Sequence, residues 1–374
     1  MNEHQLQSPF TSLELLPLHH HPRSPLKAWN AADELILHQV AETTLPPSPR
    51  VLIINDSAGA LALSLHHFSP DSWNDARSSE LALRHNQQRN HLPERDIRLI
   101  NDDRPLNGPY DLALIQLPKT LSLLEYQLLA LRSHITTDTS VIAGGMVKHM
   151  TPAQTALFET VLGPSHTSLA QKKARLILSR LDPKLTPTAL TPACYTIPDS
   201  PLQLINHANV FSRERLDIGT RFLLQHFPDL TGARSILDLG CGNGALGIVA
   251  AWQHPQATLH FVDDSALALQ SARESFAINN LANPVQFHHD DSLTHFEGKV
   301  DAVLCNPPFH EGNRVHTDIA RRMFRDAARH LNPNGSLYIV ANRHLEYRPL
   351  LQRHFSHVQQ LATNPKFVVV KAAM

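Results

Sequence analysis

The sequence predicts an α/β protein of two tandem doubly wound domains, the first a degenerate copy of the second. Three observations carry that expectation. The chain has 374 residues, more than one hydrophobic core usually serves. A proline-dense stretch (Pro183, Pro187, Pro192, Pro198, Pro201) interrupts it midway and excludes a continuing helix or a central strand. On either side, short apolar runs alternate with helical periodicity, the pattern of a mostly parallel sheet covered by helices. The expected layout is a first domain over 1–182, a linker over 183–201 and a second domain over 202–374.

In the second half, Ser235–Leu239 is an apolar run ending in glycines, and Ala245–Trp252 carries Leu246, Val249 and Trp252 at helical spacing. Thr258–Val262 reads as a strand ending at Asp263. Ser265 is a suitable N-cap for a helix running to about Asn279. Val285–His288 and Val300–Leu304 are further strands. Thr317–Leu331 places Ile319, Met323, Phe324, Ala327 and Leu331 on one helix face. Ser336–Ala341 and Phe367–Lys371 complete the sheet.

The first half repeats this rhythm faintly. Arg50–Asn55 is an apolar run followed by Asp56-Ser57-Ala58-Gly59, and helical text then ends at Arg84-His85-Asn86. Asp111-Leu112-Ala113-Leu114-Ile115-Gln116-Leu117-Pro118-Lys119 parallels Asp301-Ala302-Val303-Leu304-Cys305-Asn306-Pro307-Pro308-Phe309. Asn55 and Gln116 are separated much as Asp238 and Asn306 are. Duplication followed by loss of the first site accounts for both.

Composition narrows the function. Net charge is −1 and charged residues make up 18%, so any nucleic-acid contact must come from local patches. Three cysteines (Cys194, Cys241, Cys305) are no disulfide framework and suit a reducing cytosol. No run approaches the roughly eighteen apolar residues of a membrane span, and the N-terminus lacks a signal-peptide core. A soluble, cytoplasmic protein is expected. The 25 histidines include His19-His20-His21 but no metal-ligand spacing, so no metal site is expected.

Gly240, Gly242 and Gly244 follow a strand and open a helix, where glycine allows a ligand to approach the backbone closely. Asp238 ends the strand. It suits a cofactor bearing an ammonium group and would repel a pyrophosphate. Asp263 ends the next strand about twenty residues on, where an acid binds ribose hydroxyls. Asp291, beside Asp290, follows the third strand and is placed to accept a bond from an adenine amino group.

Asn306-Pro307-Pro308-Phe309 forms a stiff corner after a strand. A conjugated amine is a poor nucleophile. Two acceptors, the Asn306 side-chain oxygen and the Pro307 carbonyl, would hold it with its lone pair directed at an electrophilic methyl. Phe309 offers a face for a planar substrate. Cys305 lies within the strand end, so its side chain should face away from the corner.

Loop and corner together resemble the S-adenosylmethionine-dependent methyltransferases that modify exocyclic or amide nitrogens. The resemblance narrows to the ribosomal RNA small-subunit methyltransferase C / large-subunit methyltransferase G family. It rests on 209–220 (Asn-Val-Phe-Ser-Arg-Glu-Arg-Leu-Asp-Ile-Gly-Thr), the glycine loop, the corner, Val340–Leu345 and Asn364–Val369. In the first half, Ala28–Glu34, Pro118–Leu121 and Ala170–Arg175 look like the large-subunit branch. The likeness implies two Rossmann-like class I methyltransferase domains with a degenerate N-terminal one. It implies S-adenosyl-L-methionine as cofactor and methylation of a guanine N2 amine in 23S rRNA. It also implies that Phe211, Asp217 and Thr220 close over cofactor or substrate. A duplicated chain is expected to act as a monomer.

The corner alone leaves adenine N6 and protein glutamine open as targets, and 16S rRNA remains a second RNA candidate. A non-catalytic RNA-binding assembly factor is the reading of another class, but it would predict a decayed glycine loop. Arg314, Arg321, Arg322, Arg325 and Arg329 against Asp318 and Asp326 form one candidate RNA patch. Lys172, Lys173 and Arg175 form a smaller one.

Overall fold

The computed structural model describes residues 4–20, 27–101, 104–308, 314–345 and 347–374. Phe309 and the side chain of Arg314 lie outside the described residues. The chain divides into two compact units, Met1–Leu190 and Thr191–Met374.

Each unit holds a seven-stranded sheet. In the second, the order is Val285–His289, Thr258–Asp263, Ser235–Leu239, Val300–Cys305, Leu331–Asn342, Phe367–Ala373 and His357–Thr363. The first five strands are parallel. Phe367–Ala373 runs antiparallel to both of its neighbours. Residues along each central strand alternate between two cores: Ile236, Phe261 and Leu304 on one face, Leu237, Val262 and Cys305 on the other. Burial on both faces is why these strands read as continuous apolar runs. Ser265 caps the helix Ala266–Ile278, accepting from the Ala268 N–H at 3.1 Å.

The first unit repeats the order: Arg98–Ile100, Asp71–Trp73, Val51–Ile54, Tyr110–Gln116, Ile135–Met146, Ala174–Ser179, Ser165–Thr167. Its helix Ala31–Glu42 starts in a capping box between Asn30 and Asp33. The doubly wound expectation therefore holds for both halves.

Three details differ from the sequence reading. Within the proline-dense segment, Ala193–Thr196 pairs with Gln203–Asn206 as a hairpin inside the second unit. Four consecutive residues free of proline suffice for that pairing. The helix Arg314–His330 and the strand Leu331–Asn342 begin earlier than their apolar spacing indicates. The strand His357–Thr363 is mostly exposed at the sheet edge and carries no apolar alternation to reveal it.

Candidate active site

The strand Ser235–Leu239 leaves the sheet into a loop where Gly240, Gly242 and Gly244 have φ of 68°, 54° and 82°. A side chain at Gly242 would meet nothing within 4 Å, so this backbone faces open space. Asp263 ties the loop to the next helix, accepting from Gly242 N at 2.8 Å and Ser265 N at 2.9 Å.

Asp238 lies beneath the loop, 1% exposed, and accepts from the Gly247 N–H at 2.8 Å. Burial pushes its carboxyl up to about 8, with the charge of Asp263 adding to the effect. The carboxyl expected to address the cofactor thus has a partner within the loop–helix junction. Gly247 was not among the expected site residues. A Cβ there would sit 2.3 Å from the Phe261 ring, so only glycine lets this helix pack on the neighbouring strand Thr258–Asp263. The spacing Gly244-x-x-Gly247 was the available signal.

Leu239 pairs with Cys305 across adjacent parallel strands. The glycine loop and the corner therefore leave the sheet side by side at its carboxyl end, where doubly wound folds bind ligands. Asn306 Nδ2 donates to Asp217 Oδ2 at 3.0 Å and to Thr220 Oγ1 at 2.9 Å. Asp217 is the N-cap of the helix Ile218–Gln225 and also accepts from Thr220 N at 2.8 Å. Pro307 is buried and Pro308 exposed. Cys305 is fully buried on the opposite face, and burial pushes its thiol well up, as it does that of Cys241. Neither is a ready nucleophile.

Phe211 is 64% exposed on the segment leading to Asp217. That segment is tied to the glycine loop: Asn243 Nδ2 donates to the Tyr195 hydroxyl at 2.9 Å, and the hydroxyl donates to Ser212 O at 3.4 Å. Burial pushes the Tyr195 phenol up to about 12, so it stays a donor at neutral pH.

The structure redistributes the other expected residues. Arg322 turns inward and grips Asp291 with both terminal guanidinium nitrogens, at 2.8 and 2.6 Å. That fork is not presented to solvent phosphate, and Asp291 meets a guanidinium where an adenine contact was expected. Asp290 accepts from the backbone and ring of His295. Arg321 and Arg325 are surface groups paired with Asp318 and Asp326. In the first unit, Lys172 pairs with Glu34 at 2.8 Å, and Lys172 and Lys173 both have positive φ at the turn before Ala174–Ser179.

Among the described residues no group of three or more His, Cys, Asp or Glu is arranged to hold a metal ion, and no helix is long and apolar enough to cross a membrane.

Comparison with known proteins gives matches for both halves of the chain. Residues 201–371 match the methyltransferase small domain, and residues 2–183 match the RLMG N-terminal domain. A ribosomal RNA large subunit methyltransferase G of Pseudomonas aeruginosa (strain UCBPP-PA14) is 45% identical over 367 residues, 98% of each chain. One from Stutzerimonas stutzeri (strain A1501) is 44% identical over 369 residues, again 98% of each. In fold, the chain is similar to a T. thermophilus 16S rRNA N2 methyltransferase solved with AdoMet and guanosine. There the TM-score is 0.77 and the identity 22%, covering 99% of this chain and 97% of that one.

Proposed function

Because the chain belongs to the ribosomal RNA large subunit methyltransferase G family, we propose that it transfers a methyl group from S-adenosyl-L-methionine to the exocyclic N2 amine of a guanine in 23S rRNA. The observation that carries this reading is the Leu239–Cys305 register, which sets an open glycine loop beside an Asn-Pro-Pro corner.

The cofactor supplies an electrophilic methyl on a sulfonium sulfur. Gly240, Gly242 and Gly244 form the loop that would receive it, with open space at Gly242, and Asp263 is the candidate for its ribose. Asn306 Oδ1 and the Pro307 carbonyl each accept an N–H of the amine and hold its lone pair toward the methyl. Phe211, exposed on the tethered segment, and Phe309 are the candidate faces for the base. Arg321, Arg325, Lys172 and Lys173 are the candidate phosphate contacts, and affinity for RNA should fall steeply with salt.

The test incubates the full chain with methyl-labelled S-adenosylmethionine and, separately, unmodified 23S rRNA, 16S rRNA, duplex DNA and a release factor. Products are identified by mass spectrometry after digestion. N2-methylguanosine in 23S rRNA is expected. Label in 16S rRNA, DNA or the release factor, with 23S rRNA silent, would overturn the substrate assignment.

A further inference from the structure

A primary amide can offer a substrate either its oxygen or its nitrogen, and only the oxygen can accept a hydrogen from an amine. The surroundings of Asn306 settle which end is offered. Its Nδ2 lies 3.0 Å from Asp217 Oδ2 and 2.9 Å from Thr220 Oγ1. A carboxylate oxygen only accepts, so the atom facing it must be the nitrogen. With one N–H given to each partner, the nitrogen has no donor left for substrate. Oδ1 is the amide's remaining polar atom, and a Cβ built on Gly219 would stand 3.7 Å from it, at ordinary van der Waals distance.

The two acceptors are themselves fixed. Asp217 Oδ2 caps its helix through Thr220 N at 2.8 Å, and Phe222 and Leu223 anchor that helix in the core. Donation of both N–H groups also shifts amide electron density toward the carbonyl, which strengthens Oδ1 as an acceptor.

We propose that Asp217 and Thr220 are positioning residues for the transfer: they lock the Asn306 amide with Oδ1 toward the reacting amine and raise its basicity. This rests on the reading of the Asn306 corner as the amine-binding site. The first unit keeps a related contact, with Gln116 Nε2 donating to Asp33 on the third residue of its helix Ala31–Glu42. A purely structural role is therefore the rival account, and the experiment must separate the two.

Thr220→Val removes the hydroxyl and keeps the shape and the capped N–H, whereas Thr220→Ser keeps the hydroxyl. In the full-length enzyme, Thr220→Val should lower kcat roughly tenfold, the scale of one lost hydrogen bond. KM for 23S rRNA and Kd for the cofactor should stay within about twofold, and Thr220→Ser should restore kcat. In parallel, the Asn306 side-chain amide is followed by NMR without substrate, assigned by its disappearance in Asn306→Asp. It should exchange slowly in the wild type and faster in Thr220→Val. Freely exchanging protons in the wild type would overturn the lock. So would faster exchange in Thr220→Val with kcat unchanged, or equal loss of kcat in Thr220→Val and Thr220→Ser. A protected amide in a wild-type protein that methylates no rRNA would sink the reading of the corner and leave the lock standing.

Discussion

In both units a strand enters a helix through a glycine at positive φ, Gly59 at 84° and Gly244 at 82°. Ile54 pairs with Ile115 as Leu239 pairs with Cys305, and Asp111 accepts from Arg50 N as Asp301 accepts from Arg234 N, each at 2.8 Å. This register aligns Asn55 with Gly240, and Ile53 rather than Asn55 with Asp238. Asn55 keeps a φ of 65° where Gly240 has 68°, a conformation asparagine tolerates among the non-glycine residues. Where the second unit has an open loop, the first turns Asp56 inward to accept from Gly59, Leu61 and Ala62 N–H groups. Burial pushes Asp56 up to about 6 and Asp33 up to about 7. The backbone path and the capped corner survive without the chemistry. What differs is the open space at Gly242 and the proline directly after the amide: Leu117 stands where Pro307 does, while Pro118 matches Pro308.

The largest expected contrast is between the two amides. Asn306→Ala should lower kcat by roughly 10²–10³-fold, as for removal of one preorganised polar group at a reacting centre. Gln116→Ala should leave kcat near the wild-type value, read by methyl transfer to 23S rRNA. Equal loss in both would mean that the first unit takes part in the chemistry.

Next comes the arginine stretch. Arg322→Ala breaks a buried ion pair with Asp291, with side chains 14% and 5% exposed in the intact pair, and should cost about 3 kcal/mol in urea unfolding. Arg321→Glu with Arg325→Glu should weaken RNA binding and leave cofactor affinity intact. If Arg322→Ala unfolds like the wild type, the ion pair is not structural.

Much of this was legible beforehand. The glycine loop, the corner and the alternating strands are local patterns, and local patterns can be read from spacing. The Asn306–Asp217 contact joins residues 89 apart through polar side chains, and no periodicity marks such a pair. Arg322 was grouped with its neighbours by charge. Its place beside the apolar stripe of Ile319, Met323 and Ala327 was visible on the helix face, and that placement is why it turns inward. Gly247 completes a local glycine spacing, but the reason for it is not local, because its partner, the Phe261 ring, lies on another strand.

A smaller effect separates the two junctions. Gly247→Ala drives a Cβ into Phe261 and should destabilise the second unit by about 2 kcal/mol, with weaker cofactor binding. Gly59→Ala adds strain at positive φ, about 1 kcal/mol, and should leave cofactor affinity unchanged.

The smallest effect is a slope with pH. Asp238 and Asp33 titrate near 8 and 7 when folded, above the carboxylate range of the unfolded chain. The native protein therefore holds protons that the unfolded chain releases, and stability falls as pH rises through that window. His260, lowered by burial to about 4, has the opposite sign, but its contribution is complete once pH exceeds about 6.5. Thermal midpoints should drop from pH 6.5 to 8, and Asp33→Asn should flatten the slope. A midpoint that rises over this range would refute the assignment of both carboxyls.

The measurement closest to the central claim, that one copy of the fold is built for methyl transfer and the other has closed its site, is a calorimetric titration of the full chain with S-adenosyl-L-methionine. One cofactor per chain is predicted, with binding lost in Gly242→Val and kept in Asp56→Asn. Two cofactors per chain, or binding that survives Gly242→Val, would contradict it.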